Sequence, residues 1–498
     1  MNVLKDLQPQ KVMRYFEEIS GVPRESAKEE KIASYMEAFA AERGLECVRD
    51  DSNNIIIRKP ASRGYEDCDG IILQAHMDMV CVKEKDVLHD FDNEGLELYV
   101  EDGLIRARGT TLGADDGIGV AYGLAVLDSD EIKHPALEVV FTTAEETGMV
   151  GAMALDMKQL KGKNMISFDA GGFTEGRIYV GCSGNIRMEA RQRIELEPLG
   201  ENPSAAMYEI SLKGLKGGHA GGEIIKGRAN GSVLAGRMLS RLLDIKDIQL
   251  AGIQGGDKYN PIKNGIPDMF SLRVFTACEK ELKETVYSFF EEIEKEFEIV
   301  EDGMQITVNE VSEDGYAFSA ESAEDIAEIL FLLPNGVFSM NKHFTDTPEC
   351  SSNVGNVEFD RDSGILTYNF SVRSSKESVA DFLLEKARRI AKLKGLDIAM
   401  GNRLPAWDYE PDSALKDLVE EEYVRIYGKE PRFKVAPASN ECSLFKGGIS
   451  GLDVISMGPI IYDEHTVNEY MEITSVNELW KFLTDILEKT ISLPARGK

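Results

Sequence analysis

The sequence predicts two domains: an α/β layered domain assembled from both ends of the chain, and an α+β domain with ferredoxin-like βαββαβ elements inserted between them. Three observations predict this. At 498 residues the chain exceeds what one hydrophobic core supports. Helical and strand patterns alternate from the N-terminus to Asp169, and again after Gly401. Between them the order becomes strand, helix, strand, strand, helix, strand. The boundaries this implies are 1–185 with 402–498 for the first domain and 186–401 for the insertion.

The elements follow in chain order. Met1 to Ser20 reads as an amphipathic helix and lacks the apolar core of a secretory signal. Glu30 to Glu42 has helical spacing. Asn54 to Arg58, Gly70 to Gln74, Leu137 to Thr142 and Met165 to Asp169 read as short strands. Gly117 to Leu127, small and apolar throughout, reads as a buried helix. In the insertion, strand Met207–Leu215, helix Gly231–Leu243, strands Ile248–Gln254 and Met269–Ala277, helix Lys280–Phe297 and strand Met304–Val311 give the βαββαβ order. A partial second version follows: helix Ala323–Leu333, a strand near Asn353, strand Gly364–Ser374, helix Glu377–Leu393 and strand Leu396–Met400. The tail, with helix Ala414–Gly428, strands at Arg432–Ala436 and Leu452–Met457 and helix Val476–Lys489, is expected to join the N-terminal sheet.

Composition excludes some function classes. A formal net charge of −31 argues against nucleic-acid partners and anionic membrane surfaces. No uninterrupted apolar run is long enough to span a bilayer. The seven cysteines are scattered, without a CxxC pair, which suits reduced thiols in a cytoplasm.

Chemistry-bearing residues cluster at strand ends. His76 closes the apolar run GIILQAH, and Asp78 leaves the same face two positions on. Such a pair can supply a metal ligand and the carboxylate that orients it, or simply an ion pair at a turn. Arg108 to Gly119, RGTTLGADDGIG, sets Asp115 and Asp116 among glycines just before the apolar helix, where acids also serve as caps. Thr142 to Gly148, TTAEETG, places Glu145 and Glu146 just past a strand, and MISFDAGG places Asp169 likewise. In open α/β sheets, sites assemble at this edge. Carboxylates with imidazole suit zinc, manganese or cobalt.

Together, QAHMDMV, TTLGADDGIG, TAEETGMVGA, SFDAGG, GLKGGHAGG and NGIP span most of the chain. In this order they resemble the M20 metallopeptidase family, and within it the aminoacyl-histidine (Xaa-His) dipeptidase branch. The resemblance implies a zinc-peptidase-like catalytic domain with a central mixed sheet, and an inserted lid. It implies two Zn²⁺ per subunit, with Co²⁺ or Mn²⁺ as substitutes. His76 and Asp169 would hold one ion, Glu146 and His465 the other, and Asp115 would bridge both. Asp78 would orient His76, and Glu145 would be the general base for a bridging hydroxide. Two dications, three carboxylates and one hydroxide would make a neutral cluster, as burial requires. A cis peptide bond is expected between Asp115 and Asp116.

From the lid, the resemblance implies His219 as an oxyanion donor, acting within its own subunit or across a homodimer formed through the lid. Asn264 and Arg373 would grip the substrate, and arginine suits a carboxylate. Glu441 would lie near the substrate pocket, although its surroundings, APASNECSLF, depart from the family pattern at Asn440 and Ser443. Asp116 stands where relatives commonly have asparagine. The implied activity is cytoplasmic hydrolysis of Xaa-His and related dipeptides. The alternatives are another M20 hydrolase, either a tripeptidase or an N-acyl amino acid deacylase, and a non-catalytic metal-dependent scaffold. His89, His134 and His343 lie outside every motif and are expected to be structural or exposed.

Overall fold

The computed structural model describes residues 3–259, 263–312 and 315–494. It divides into two compact units. One comprises Met1–Cys182, Trp407–Val435 and Asn440–Lys498; the other comprises Ser183–Ala406 with Ala436–Ser439. The expected borders at 185/186 and 401/402 did not include the short return at 436–439.

The first unit is built on an eight-stranded mixed sheet. Its order is Glu46–Arg49, Ile55–Lys59, Leu137–Thr142, Ile71–His76, Asn164–Ser167, Asp453–Ser456, Arg177–Cys182 and Arg432–Ala436. Ile71–His76 runs parallel to both neighbours, in register Ile71↔Leu137 to His76↔Thr142 on one side and Ile71↔Asn164 to Gln74↔Ser167 on the other. All residues of these three strands are buried, which explains their near-continuous apolar runs. Their C-terminal ends lie along one edge of the sheet. The tail contributes Asp453–Ser456, parallel to Asn164–Ser167, so the C-terminal segment completes the N-terminal sheet.

The helix Ala114–Leu127 is buried on every side from Asp116 to Leu127. Gly123 lets it approach the sheet: a Cβ there would come within 2.8 Å of the Val139 side chain. The first helix starts at Gln10, with Pro9 in extended backbone before it, rather than at the expected Met1. Met1 and Asn2 lie outside the described residues. A four-stranded sheet was not expected from sequence. It pairs Ile461–Tyr462, Tyr470–Glu472, Leu104–Ala107 and Leu98–Glu101, and the loop between its first two strands carries His465.

The second unit holds two ferredoxin-like modules in one sheet. In the first, strands Gln305–Val311, Ala206–Lys213, Phe270–Thr276 and Gln249–Gly255 are antiparallel neighbours, with helices Gly231–Leu242 and Glu279–Glu296 between them in sequence. In the second, the sheet order is Pro348–Asp360, Ile365–Ser374, Gly184–Arg193 and Asp397–Leu404, with helices Ala320–Leu332 and Glu377–Lys394. Gly184–Arg193 is thus the first strand that the partial second version lacked. The modules join where Gln254 and Gly255 pair with Glu358 and Val357. Leu234, Leu239, Val286, Phe289, Ile326 and Leu383 pack in their shared core.

Candidate metal centre

His76 is the last residue of its strand, and its ring is buried. Its Nε2 lies 3.2 Å from Asp115 Oδ1, and its Nδ1 lies 3.4 Å from Asp78 Oδ1. Asp78, also buried, does more than orient this ring. Its Oδ2 accepts from Ser26 Oγ at 2.8 Å, and its two oxygens accept from the backbone N–H of Glu145 (3.1 Å) and of Glu146 (3.3 Å). One carboxylate therefore ties the end of one strand to the acidic doublet beyond its neighbour.

The doublet has left the strand. The strand Leu137–Thr142 ends before it, and Ala144 takes a left-handed φ of 50°. The N–H groups of Gly148 and Met149 both donate to Glu145 O at 2.8 Å, closing a turn. Opposite-face alternation no longer applies, and the two glutamates separate. Glu146 joins His76 and Asp115 in a set whose ligand atoms all lie within 4.8 Å of one another, and its Oε1 is 2.8 Å from His465 Nε2. Glu145 is not in that set, and neither are Asp169 and His465. Burial, with the charges of Asp169, Glu441 and Glu146, pushes its carboxyl well above the usual carboxylate range, against the pull of His76.

Asp115 stands between the two histidines, Oδ1 toward His76 and Oδ2 toward His465, each at 3.2 Å. Despite burial, these contacts hold it below the usual carboxylate range. The peptide bond to Asp116 is cis. Asp169 lies two residues beyond Asn164–Ser167, and burial and the charge of Asp115 push its carboxyl up to about 7. His465 has a φ of 64° and is drawn up to about 11 by Asp115 and Glu146. Two imidazoles and the carboxylates of Asp115 and Glu146 meet within hydrogen-bonding distance, nitrogen and oxygen donors facing one point. A divalent cation satisfies both kinds of donor, so this set fits a metal.

Several residues at the site went unread in the sequence. Asn440 Nδ2 donates to Asp169 Oδ2 (2.9 Å) and to its backbone O (3.0 Å), so the departure from the family pattern positions Asp169. Glu469 accepts from the backbone N–H groups of Leu112, Gly113, Ala114 and Asp115. Arg24 is fully enclosed and donates to carbonyls on both sides of the cluster. Two of them carry a signal in the sequence: Asn440 as a departure from the family pattern, and Glu469 by its place four residues after His465.

Glu441, expected near the substrate, is fully buried at the sheet edge. Its Oε2 accepts from Gln74 Nε2 at 2.7 Å and Thr142 Oγ1 at 2.6 Å. Asp116 is buried, with Oδ1 accepting from Gly119 N–H at 3.2 Å. Burial pushes its carboxyl well above the usual range, with Asp169 and Asp115 adding to this against His76. A protonated Asp116 presents much the same uncharged shape as asparagine.

The second unit brings its own expected residues together. His219 Nδ1 accepts from Gly222 N–H at 3.1 Å, which leaves the ring hydrogen on Nε2. With that tautomer, Nε2 and Arg373 Nη2, 3.4 Å apart, are both donors, so they are neighbours without a hydrogen bond between them. Burial, with Arg187 nearby, lowers the Arg373 guanidinium to about 10. Gly218 O accepts from Ile266 N–H at 2.8 Å, so the His219 loop pairs with the segment holding Asn264, whose buried Oδ1 has no hydrogen-bond partner among the described residues. Of the remaining histidines, His134 is buried with Nδ1 on Pro135 O at 2.7 Å, and His89 packs edge-on against Phe91.

Residues 72–489 match the profile of peptidase family M20/M25/M40. The chain is 34% identical over 499 residues to the cytosol non-specific dipeptidase of Escherichia coli (strain K12), covering 100% of both chains. It matches the crystal structure of aminoacylhistidine dipeptidase from Vibrio alginolyticus with a TM-score of 0.89 and 33% identity, over 99% of each chain. Aminopeptidase PepT from Bacillus cereus shares the fold at a TM-score of 0.60 and 17% identity, over 97% of this chain and 99% of that one. With a family profile matched over most of its length and a relative 34% identical over the full chain, the chain belongs to peptidase family M20/M25/M40.

Proposed function

We propose that the protein is a metal-dependent dipeptidase acting on Xaa-His and related dipeptides. The observation that carries this reading is the close set of His76, Asp115 and Glu146, with the buried carboxyl of Glu145, which burial makes hold its proton unusually tightly, next to it in the chain. A binding scaffold needs the first glutamate but has no use for the second. The names of the E. coli and V. alginolyticus relatives support the substrate class.

In this proposal His76, Asp115, Glu146, Asp169 and His465 would hold two zinc ions, Asp115 serving both, and Co²⁺ or Mn²⁺ could substitute. The bound ions would supply Lewis acidity, acidifying a water and polarising the scissile carbonyl. Glu145 would take a proton from the attacking water and deliver it to the leaving amine. Its raised affinity for a proton suits both halves of this transfer. Asp78 holds His76 and the doublet in place through a 3.4 Å contact with the imidazole and three hydrogen bonds, from Ser26 and from the backbone of Glu145 and Glu146. His219, with its hydrogen on Nε2, donates to the developing oxyanion. Arg373 binds the peptide carboxylate, and Asn264 contributes a substrate contact. Pairing of two chains through the inserted domain and a cytoplasmic location belong to the same proposal. The free state of all seven cysteines supports the latter, and no helix among the described residues is long and apolar enough to cross a membrane.

A substrate panel tests the reading. With zinc present, Xaa-His dipeptides are expected to be cleaved with a higher kcat/KM than a tripeptide or N-acetyl amino acids. Preference for the acetylated compounds would make the protein a deacylase, and preference for the tripeptide a tripeptidase. His219→Ala is expected to keep near-normal metal content and lose about 10²–10³-fold in kcat, as for other oxyanion donors. An unchanged kcat would remove His219 from the chemistry.

A further inference from the structure

We propose that Arg24 and Glu469 are positioning residues that register Asp115 against the two histidines it separates, Arg24 on the His76 side and Glu469 on the His465 side. The inference rests on the two-ion reading above.

The backbone of Leu112–Asp115 is held from two directions. The carboxylate of Glu469, only 3% exposed, accepts from the N–H groups of Leu112 (2.8 Å), Gly113 (2.9 Å), Ala114 (2.8 Å) and Asp115 (3.4 Å). Four successive N–H groups converging on one anion form a nest. Glu469 stands at the end of the loop that carries His465, where its own N–H donates to Thr466 O at 3.2 Å. This carboxylate thus ties the His465 loop to the Asp115 backbone.

Arg24 does the equivalent on the other side. Its Nη1 donates to Met77 O (3.3 Å) and Asp78 O (3.2 Å), directly after His76, and its Nη2 donates to Gly113 O at 2.6 Å. The guanidinium is buried, and its hydrogen bonds run to backbone carbonyls rather than to a carboxylate. The glycines of LGADDG make room for it: a Cβ on Gly113 or Gly117 would stand 2.6 Å from Nη2. A buried cation and a buried anion thus meet the same four-residue segment, each joined to a different histidine. Burying charges this way is costly unless their hydrogen bonds are well placed, and a hydrophobic clamp could not bind carbonyls or N–H groups.

Each residue should therefore control one ion more than the other. Metal-stripped protein is titrated with Zn²⁺ by calorimetry, and the two binding steps are assigned with His76→Ala and His465→Ala. Glu469→Gln, which keeps shape but turns an amide toward the nest, is expected to weaken the step lost in His465→Ala by about 10–100-fold. Arg24→Lys, which keeps charge but cannot span three carbonyls, is expected to weaken the step lost in His76→Ala by a similar factor. Thermal unfolding of each metal-free variant checks the fold. If Arg24→Lys does not fold, the Glu469→Gln comparison alone decides. Equal weakening of both steps, or of neither, overturns the inference while leaving the two-ion reading intact. Uptake of a single ion by the unaltered protein would instead overturn the two-ion reading, and the inference with it.

Discussion

Replacing Glu145 by glutamine is expected to lower kcat by about 10²–10⁴-fold, the usual contribution of a general acid–base, while leaving metal content unchanged. The amide keeps the size of the side chain but cannot take a proton from water. Metal content should persist because none of the five proposed ligands, His76, Asp115, Glu146, Asp169 and His465, is altered. Its backbone N–H still reaches Asp78, so the turn that presents Glu146 remains. Activity measured beside metal analysis of the same preparation checks both halves. Loss of metal together with activity would mean that Glu145 is a ligand.

Glu146→Gln is expected to behave in the opposite sense, with metal affinity falling by more than about 100-fold, beyond the 10–100-fold typical of residues that only orient a ligand. Glu146 Oε1 lies 2.8 Å from His465 Nε2, so both face one point. Removing the carboxylate leaves that point with a neutral amide and an imidazole, a weaker donor pair for a dication. The variant should regain part of its activity at high zinc concentration, which Glu145→Gln should not. Metal titration of the two variants side by side checks the contrast. Near-normal affinity in Glu146→Gln would reverse the division of labour within the doublet.

The doublet also shows why some of the site was legible in the sequence and some was not. TTAEETG follows LEVVF, a run whose apolarity reports a strand buried on both faces. An acid just beyond such a strand has to lie at its C-terminal end, and three adjacent parallel strands then bring His76, the doublet and Asp169 to one edge. Those residues act through side chains, which the sequence displays. Arg24 and Glu469 act on backbone atoms 89 and 356 residues away, and a backbone partner leaves no mark on the sequence. Fold elements divide in the same way. The strand Gly184–Arg193 carries the alternation of a half-buried strand, with Arg187, Glu189, Arg191 and Arg193 outward, but its partners Ile365–Ser374 and Asp397–Leu404 lie far along the chain, so its place in the second module does not show in the sequence. The sheet that carries His465 was missed because its strands are only two to four residues long, too short to show alternation.

Asn440 shows the same limit at a single residue. In the sequence it looked like a departure from the family pattern. In the fold its amide donates to Asp169 twice, a pairing between residues 271 positions apart.

Zinc titration of the metal-stripped protein, with hydrolysis of an Xaa-His dipeptide followed at each addition, tests the central claim most directly. Uptake of two ions per chain is expected, with no turnover before zinc is added and full turnover once both are bound. Turnover by the stripped protein, or full activity with the His76, Asp115 and Glu146 cluster free of metal, would contradict it.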